Sequence, residues 1–262
     1  MATEERNMPF IKHLASSDRK IRTSALDTLR TFLTAPTTVR KLTDLDHLKL
    51  WKGLFYSVWM CDRPIPQQNL CAELASLLSI LPAPSDDECA VVIPFLRAFW
   101  ATLSREWTSI DVLRMEKFLL LVRRVFGASL AWVGEGRKGK NGNKWAGARA
   151  DGMLKLLEKW PLEKTGDLSK VSVGLRLHVL DIWVDEVEKL DLLAESDQDS
   201  RVFLDRLRQV VEIQSKSACQ PVRVRAKESL LDERLPWNQG SSADELADHD
   251  HDGKESWDGF DD

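Results

Sequence analysis

The fold class of this chain is decided by the stretch Leu50-Trp-Lys-Gly-Leu-Phe-Tyr-Ser-Val-Trp-Met-Cys-Asp-Arg-Pro64. Its large apolar and aromatic residues recur at i, i+3, i+4, i+7 and i+8, the spacing of one wide stripe along a helix. They are Trp51, Leu54, Phe55, Val58 and Trp59. A helix of this kind is predicted to lie between neighbouring helices or against another protein, and nothing in it suggests catalysis.

Helix signals continue on both sides of this stretch. Ser17 is predicted to cap a helix over 18–33, and Thr43 is predicted to cap the helix that carries the stretch itself. Pro66 suits the first turn of a helix running to residue 81. The spacing Ser85-Asp-Asp-Glu88 is that of a capping box, and it predicts a helical stretch to residue 107 that Pro94 must kink or break.

The whole chain is predicted to be all-α. Further helical patterns cover 110–132, 145–160, 172–193, 202–215 and 222–235, and strand signals are nearly absent. About ten helices joined by short proline-bearing turns are typical of a HEAT-like helical repeat, an α-α superhelix. We expect one helical-repeat domain over residues 1–237, followed by a disordered acidic tail over 238–262.

Charge is distributed unevenly along the 262 residues. The net charge is −4, but residues 238–262 hold nine Asp and Glu and one Lys, which leaves +4 on the body. A mildly basic body with an acidic tail suits work near nucleic acid, although a tail that only aids solubility is an equal alternative. The four cysteines are scattered, and no apolar run reaches 18 residues, so we expect a soluble, intracellular chain with reduced thiols.

A basic, glycine-rich insertion at about 134–150 is the predicted nucleic-acid contact. Its candidate RNA-binding residues are Arg137, Lys138, Lys140 and Lys144, with Arg149 adding a fifth charge. Positive charges on flexible backbone can follow an RNA phosphate path. An ordinary solvated insertion is the alternative. Lys12, Arg19, Lys20 and Arg22 form a second candidate basic patch, for which a solvated face is an equal alternative. Arg114, Lys117, Arg123 and Arg124 lie on one long predicted helix but do not all share a face, and we expect some of them to pair with nearby acids.

Several tempting motifs are rejected. Gly134-x-Gly136-x-x-Gly139 matches a dinucleotide fingerprint, but it follows a predicted helix and lacks the strand–loop–helix frame that aims amides at a phosphate. Asp248-x-Asp250-x-Asp252-Gly253 begins like a calcium loop, but Gly259 stands where a bidentate Glu is needed. The histidines have no nucleophile and acid partners that the sequence supports. We therefore expect no catalytic residue, no metal site and no cofactor.

The sequences of several segments resemble those of a known protein family. The opening stretch resembles the signature block of the nucleolar ribosomal RNA processing protein 1 family. A second block, Phe95-Leu-Arg-Ala-Phe-Trp100 with Arg105-Glu-Trp-Thr-Ser-Ile-Asp111 and Arg114-Met-Glu-Lys-Phe118, is similar to its second motif. The segment Gly174-Leu-Arg-Leu-His178 is consistent with it, and the resemblance covers roughly residues 8–236.

The resemblance implies an early assembly factor of the large ribosomal subunit, located in the nucleus and nucleolus. Such a factor is needed for processing pre-ribosomal RNA and has no enzymatic activity. It implies a scaffold that contacts other early pre-60S assembly factors, ribosomal proteins and pre-rRNA, with no membrane and no small-molecule substrate. Animal members continue into a long basic extension where this chain has its acidic tail, so RNA binding by a C-terminal region is not expected. The alternative is a generic helical-repeat adaptor between proteins, without RNA contact.

Overall fold

The computed structural model describes residues 8–84, 87–136, 145–194 and 198–239. Within these ranges the chain is all-α and contains no strand, as predicted. It forms eleven α-helices and one 3-10 turn at Trp107–Ser109. The helices are α1 Phe10–Leu14, α2 Arg19–Leu33, α3 Pro36–Val39, α4 Asp44–Trp59, α5 Pro64–Ile80, α6 Val92–Glu106, α7 Val112–Gly134, α8 Ala148–Lys159, α9 Val173–Glu188, α10 Gln198–Gln214 and α11 Gln220–Leu230.

The helices alternate between two layers. Helices α1, α4, α6, α8 and α10 pack side by side in one layer, and α2, α5, α7, α9 and α11 do so in the other. Helices of the second layer run parallel: His178 lies against Leu119, and farther along the same pair of helices Glu186 lies against Arg123. This arrangement confirms the predicted α-α superhelix of the HEAT type.

Helix α4, which carries the opening stretch, joins the two layers. Trp51 packs its ring 4.9 Å from Phe95 and 4.7 Å from Phe99 on α6 of its own layer. Phe55 stacks on Phe118 of α7 in the other layer, with ring centroids 4.5 Å apart. Trp51 and Phe55 are fully buried, and burial of such a side chain contributes about 1.5–3 kcal/mol. The apolar stripe therefore holds the scaffold together.

Helix starts follow local capping chemistry. The predicted cap Thr43 is confirmed: its hydroxyl accepts the Asp46 N–H, and the Asp46 carboxylate accepts the Thr43 N–H in return. The predicted cap Ser17 is wrong by one residue, because Asp18 accepts the N–H groups of Lys20 and Ile21. A carboxylate is also favoured at a helix N-terminus by the helix dipole.

Proline positions set the start of two helices. Helix α5 begins at Pro64 with Pro66 in its first turn, as expected, and it ends at Ile80. The predicted kink at Pro94 is wrong: α6 begins at Val92, so Pro94 lies in the first turn, where a missing N–H breaks no helical hydrogen bond. Ser85 lies outside the described residues.

The connection between α8 and α9 is fixed by a buried arginine. Arg176 is 1% exposed and donates to the carbonyl oxygens of Glu163, Asp167 and Val171. Its guanidinium also reaches the Glu163 carboxylate at 3.3 Å and the Gln214 side chain at 3.2 Å. Burial raises the pKa of Glu163, but hydrogen bonds from Thr165, Asp167 and Arg176 outweigh it and lower the pKa to about 2. The ionised network therefore ties α9 to α10 and to the loop before α9.

The described chain ends beyond α11. Asn238 donates to the carbonyl oxygens of Leu230 and Asp232, and the Trp237 ring lies 4.5 Å from the Arg208 guanidinium. The predicted acidic tail starts here, and its residues 240–262 lie outside the described part of the chain.

Candidate functional site

The four predicted RNA-binding residues, Arg137, Lys138, Lys140 and Lys144, lie outside the described residues. The chain on either side of them is well defined. Gly134 is the last residue of α7, and a Cβ built on it would lie 2.7 Å from the Trp145 ring. The two flanks of segment 137–144 are thus in contact with each other. Gly134 is needed for that contact, which gives the glycine a packing role.

Arg149, which the sequence grouped with the basic insertion, has a structural role in α8. Its Nε donates to the Glu88 carboxylate at 2.8 Å, and its Nη1 donates to the Trp132 carbonyl oxygen at 2.8 Å. The guanidinium also lies 4.8 Å from the centre of the Trp132 ring. Arg149 is therefore held against the protein, and the basic insertion has one cation fewer than its sequence suggests.

The cations of the long helix α7 are mostly engaged. Arg114 pairs with Asp111 and covers the Trp59 ring at 4.9 Å, while Lys117 is buried. Arg123 forms ion pairs with two acidic residues of α9, Asp185 and Glu186. Arg124 is exposed. The helix offers no continuous basic face.

Arginine–carboxylate pairs also connect neighbouring helices elsewhere in both layers. They join α2 to α5, α4 to α6, α8 to α10, and α9 to α11 and to the residues that follow α11. The pairs are Arg30–Glu73, Arg97–Asp44, Arg206–Asp151, Arg225–Asp181 and Arg234 with Asp185 and Glu188. Such pairs contribute little stability each, but they remove cations from the set available to a polyanion.

Two residues of the second candidate basic patch, Arg19 and Arg22, line one cleft, and Lys12 and Lys20 do not line it. Arg22 is 8% exposed, and its Nη1 donates to the carbonyl oxygens of Ser16 and Ser17, which fixes it beside α1. Arg19 is exposed on the preceding turn. Arg63, at the end of the opening stretch, lines the same cleft. We call this feature the arginine cleft.

The arginine cleft lies between the start of α2, the end of α4 and the start of α5, and its volume is about 570 Å³. That volume is within the range of ligand and peptide-anchor pockets. Its lining combines cations, two acids, small polar groups and apolar side chains. The lining residues are Arg19, Arg22, Thr23, Leu26, Ser57, Cys61, Asp62, Arg63, Pro66, Asn69, Leu70 and Glu73.

Buried titratable side chains have structural partners. His47 Nδ1 lies 2.9 Å from the Thr43 carbonyl oxygen, and His178 Nε2 lies 2.9 Å from that of Leu119. Burial lowers the pKa of both histidines. Burial also raises the pKa of the Cys71 thiol to about 12, so it stays protonated. Across the described ranges, no group of three or more His, Cys, Asp or Glu could hold a metal ion, and no helix is both long and apolar enough to span a bilayer.

Comparison with known proteins decides the family. Residues 5–261 match the family described as nucleolar protein Nop52. The chain belongs to the Nop52 family. This confirms the resemblance drawn from the motifs, and the family's description agrees with the predicted nucleolar location.

Curated relatives of this Nop52 family member share part of their length with it. Human ribosomal RNA processing protein 1 homolog B is 31% identical over 201 residues, which is 75% of this chain and 24% of the relative. Mouse homolog A is 30% identical over 201 residues, or 76% of this chain and 38% of the relative. The Dictyostelium discoideum homolog is 24% identical over 246 residues, which is 89% of this chain and 47% of the relative. The chain thus spans less than half the length of each of these relatives.

The family motifs meet one another inside the fold. Lys117 of the second block donates to the carbonyl oxygens of Trp59 and Cys61 in the opening stretch, at 2.7 and 2.9 Å. Trp107 of the same block packs on Gly174 of the third segment. The motifs therefore assemble the scaffold. The basic cluster around Arg19 and Arg22 was the only sequence signal for the arginine cleft, and Arg63 was missed because it lies far from them along the chain.

Proposed function

We propose that this chain is a non-enzymatic factor in ribosomal RNA processing, acting as a scaffold in early nucleolar precursors of the large ribosomal subunit. The observation that carries the proposal is the match to the Nop52 family over residues 5–261, together with relatives named ribosomal RNA processing protein 1 homologs. The two-layer superhelix adds support, since helical repeats present extended surfaces for binding other macromolecules.

The non-enzymatic role is supported by how the interior uses its titratable groups. Lys117 caps the end of α4, His178 binds a carbonyl oxygen of α7, and Glu163 with Arg176 fixes a loop. Each of these groups is engaged in holding helices together. The partners we propose are other early pre-60S assembly factors, ribosomal proteins and pre-rRNA, with no cofactor.

The RNA contact we propose is made by Arg137, Lys138, Lys140 and Lys144. Support comes from the flanks: Trp145 packs on Gly134, and Arg149 is fixed by Glu88, so the residues on both sides of the basic segment are held at a defined place on the scaffold. Lysine and arginine side chains that neutralise phosphates release counterions, which makes such a contact salt-dependent.

The experiment compares RNA binding by two charge-reversed variants. The first carries Arg137→Glu, Lys138→Glu and Lys140→Glu, and the control carries Lys164→Glu, Lys216→Glu and Lys227→Glu at exposed positions. For a single-stranded pre-rRNA fragment we expect weaker crosslinking for the first variant only. We also expect the slope of log affinity against log salt to fall by about 2, since each lost phosphate contact contributes about 0.7. Equal losses in both variants, or no loss in either, would reject this segment as the RNA contact.

An adaptor that binds only proteins is the second candidate function. It is favoured by the inter-helix ion pairs, which engage many of the arginines in the described ranges. Under this alternative, both variants would still enter precursor particles, and crosslinked RNA would be absent from the wild-type chain as well.

A further inference from the structure

The arginine cleft has an unbalanced positive charge. Glu73 in its wall is paired with Arg30 at 3.1 Å, and Asp62 lies 3.7 Å from the Lys117 ammonium. Both acids thus have a cation of their own. Arg19 and Arg63 are exposed, and neither has a carboxylate partner within the described ranges. The cleft is therefore suited to receive a negatively charged group.

Apolar side chains flank these arginines. Leu26, Leu70 and Pro66 line the cleft itself. Ile65, beside Arg63, is 72% exposed. Exposed apolar residues beside a cationic cleft are typical of a surface that binds a peptide.

Helix α7, which packs on the side of α5 away from α2, adds exposed apolar residues near the α4–α5 connection. Val112 and Leu113 in the first turn of α7 are 83% and 89% exposed. This turn lies beside the α4–α5 connection, because Arg114 covers the Trp59 ring and Lys117 binds the Cys61 carbonyl oxygen. Exposed apolar residues of both α5 and α7 therefore lie near the α4–α5 connection.

The lining distinguishes a peptide from RNA. Single-stranded RNA is bound by aromatic platforms that stack its bases, and none of the cleft's lining residues is aromatic. A short peptide with carboxylates for the arginines and large apolar side chains for the rim fits better.

We propose that the arginine cleft binds the acidic C-terminal segment of this same chain. Residues 240–262 carry nine Asp and Glu against Lys254, and they include the large apolar residues Leu246, Trp257 and Phe260. Carboxylates flank Trp257 and Phe260 in the sequence, so the segment offers partners for both the arginines and the apolar surface beside them. This pairing does not depend on the RNA contact proposed above.

The segment is long enough to reach the cleft. The described chain ends at Gln239, beyond α11, and the cleft borders α2 and α5 at the other end of the same layer. Neighbouring helix axes are about 9 Å apart, so four spacings amount to about 36 Å, and the step from the end of α11 back to the level of the helix starts adds about 20 Å. An extended chain spans about 3.3 Å per residue, or about 75 Å for residues 240–262. Tethering also raises the local concentration to the millimolar range, so weak contacts suffice.

Photocrosslinking in the full chain tests this proposal. Phe260→p-benzoylphenylalanine places a crosslinker in the acidic segment, and mass spectrometry of an isotopically mixed sample identifies intramolecular products. We expect crosslinks to the start of α2 and the α4–α5 connection. Adding Arg19→Glu and Arg63→Glu should lower their yield about fivefold, because two exposed charge pairs become repulsive.

The matched control carries Lys52→Glu and Arg124→Glu, which make the same charge change at exposed positions outside the cleft lining. Its crosslink yield should equal that of the chain carrying Phe260→p-benzoylphenylalanine alone, and thermal unfolding should show all variants folded. Crosslinks at other surfaces, crosslinks between two copies, or an equal yield in both charge variants would overturn the proposal. A further outcome would also overturn it: Arg19→Glu and Arg63→Glu abolish RNA binding by the chain but leave the crosslinks unchanged. The cleft would then be a binding site for RNA.

Discussion

The ammonium group of Lys117 lies 2.7 Å from the carbonyl oxygen of Trp59 and is buried there. A second bond, to the Cys61 carbonyl oxygen at 2.9 Å, completes a cap on the C-terminal end of α4. Burial lowers the pKa of Lys117, while Asp62 opposes that shift. A lysine that looked like part of a basic surface therefore fixes the end of the helix that joins the two layers.

Lys117→Met is expected to destabilise the protein by about 1–3 kcal/mol, because the Trp59 carbonyl oxygen loses its Lys117 donor, while the Cys61 carbonyl oxygen keeps a hydrogen bond from the Gln67 side chain. Denaturant unfolding followed by circular dichroism measures the effect. Arg124→Met on the same helix is the control, since Arg124 is exposed, and it should change stability by about 0.5 kcal/mol or less. Similar values for the two variants would show that Lys117 is not a helix cap.

Gly174→Ala is expected to destabilise the protein by about 1–2 kcal/mol, because overpacking outweighs the better helix propensity of alanine. A Cβ at this position would lie 2.9 Å from the Nε1 of Trp107, a buried side chain with little room to move. The same substitution in a Trp107→Phe background should have a smaller effect, since the clashing nitrogen is gone. A double-mutant cycle in urea measures this coupling, and an additive result would count against the contact.

Glu163→Gln is expected to reduce stability in a pH-dependent way. The native pKa of Glu163, about 2, lies below its ordinary value of 4.5, so the carboxylate stabilises the folded state above pH 4.5 and loses this effect as pH falls towards 2. We expect the free energy of unfolding of the wild type to exceed that of the variant by about 3 kcal/mol at pH 7. This difference should shrink as the pH falls from 4.5 towards 2. Unfolding curves at several pH values measure it. Glu233→Gln, at an exposed residue, should show no such dependence.

Much of the fold could be predicted because its signals are local. The apolar spacing from Trp51 to Trp59 predicts a helix between neighbours, and Thr43 predicts its start; the structure confirms both. The predicted kink or break at Pro94 is wrong because a proline is also compatible with the first turn of a helix. Helix α6 begins at Val92, and it has no side-chain cap that would mark this start in the sequence. The sequence therefore does not indicate that the first turn of α6 begins at Val92.

The site was less predictable because it depends on contacts between distant segments. Arg149 looks like a free cation in sequence, yet Glu88 and the Trp132 carbonyl oxygen engage it. Conversely, Arg63 looks like the end of a core helix, and only the packing of α5 beside α2 brings it to Arg19 and Arg22. Pairing across helices decides which cations remain available, and no single segment contains that information.

The proposed scaffold role requires this chain to bind precursors of the large ribosomal subunit. Sedimentation of nuclear extract containing the tagged full chain, followed by sequencing of the RNA that copurifies with each fraction, tests it most directly. We predict that the chain sediments with large-subunit precursor particles and enriches large-subunit pre-rRNA. Sedimentation as a free protein, or with small-subunit precursors alone, would contradict the account.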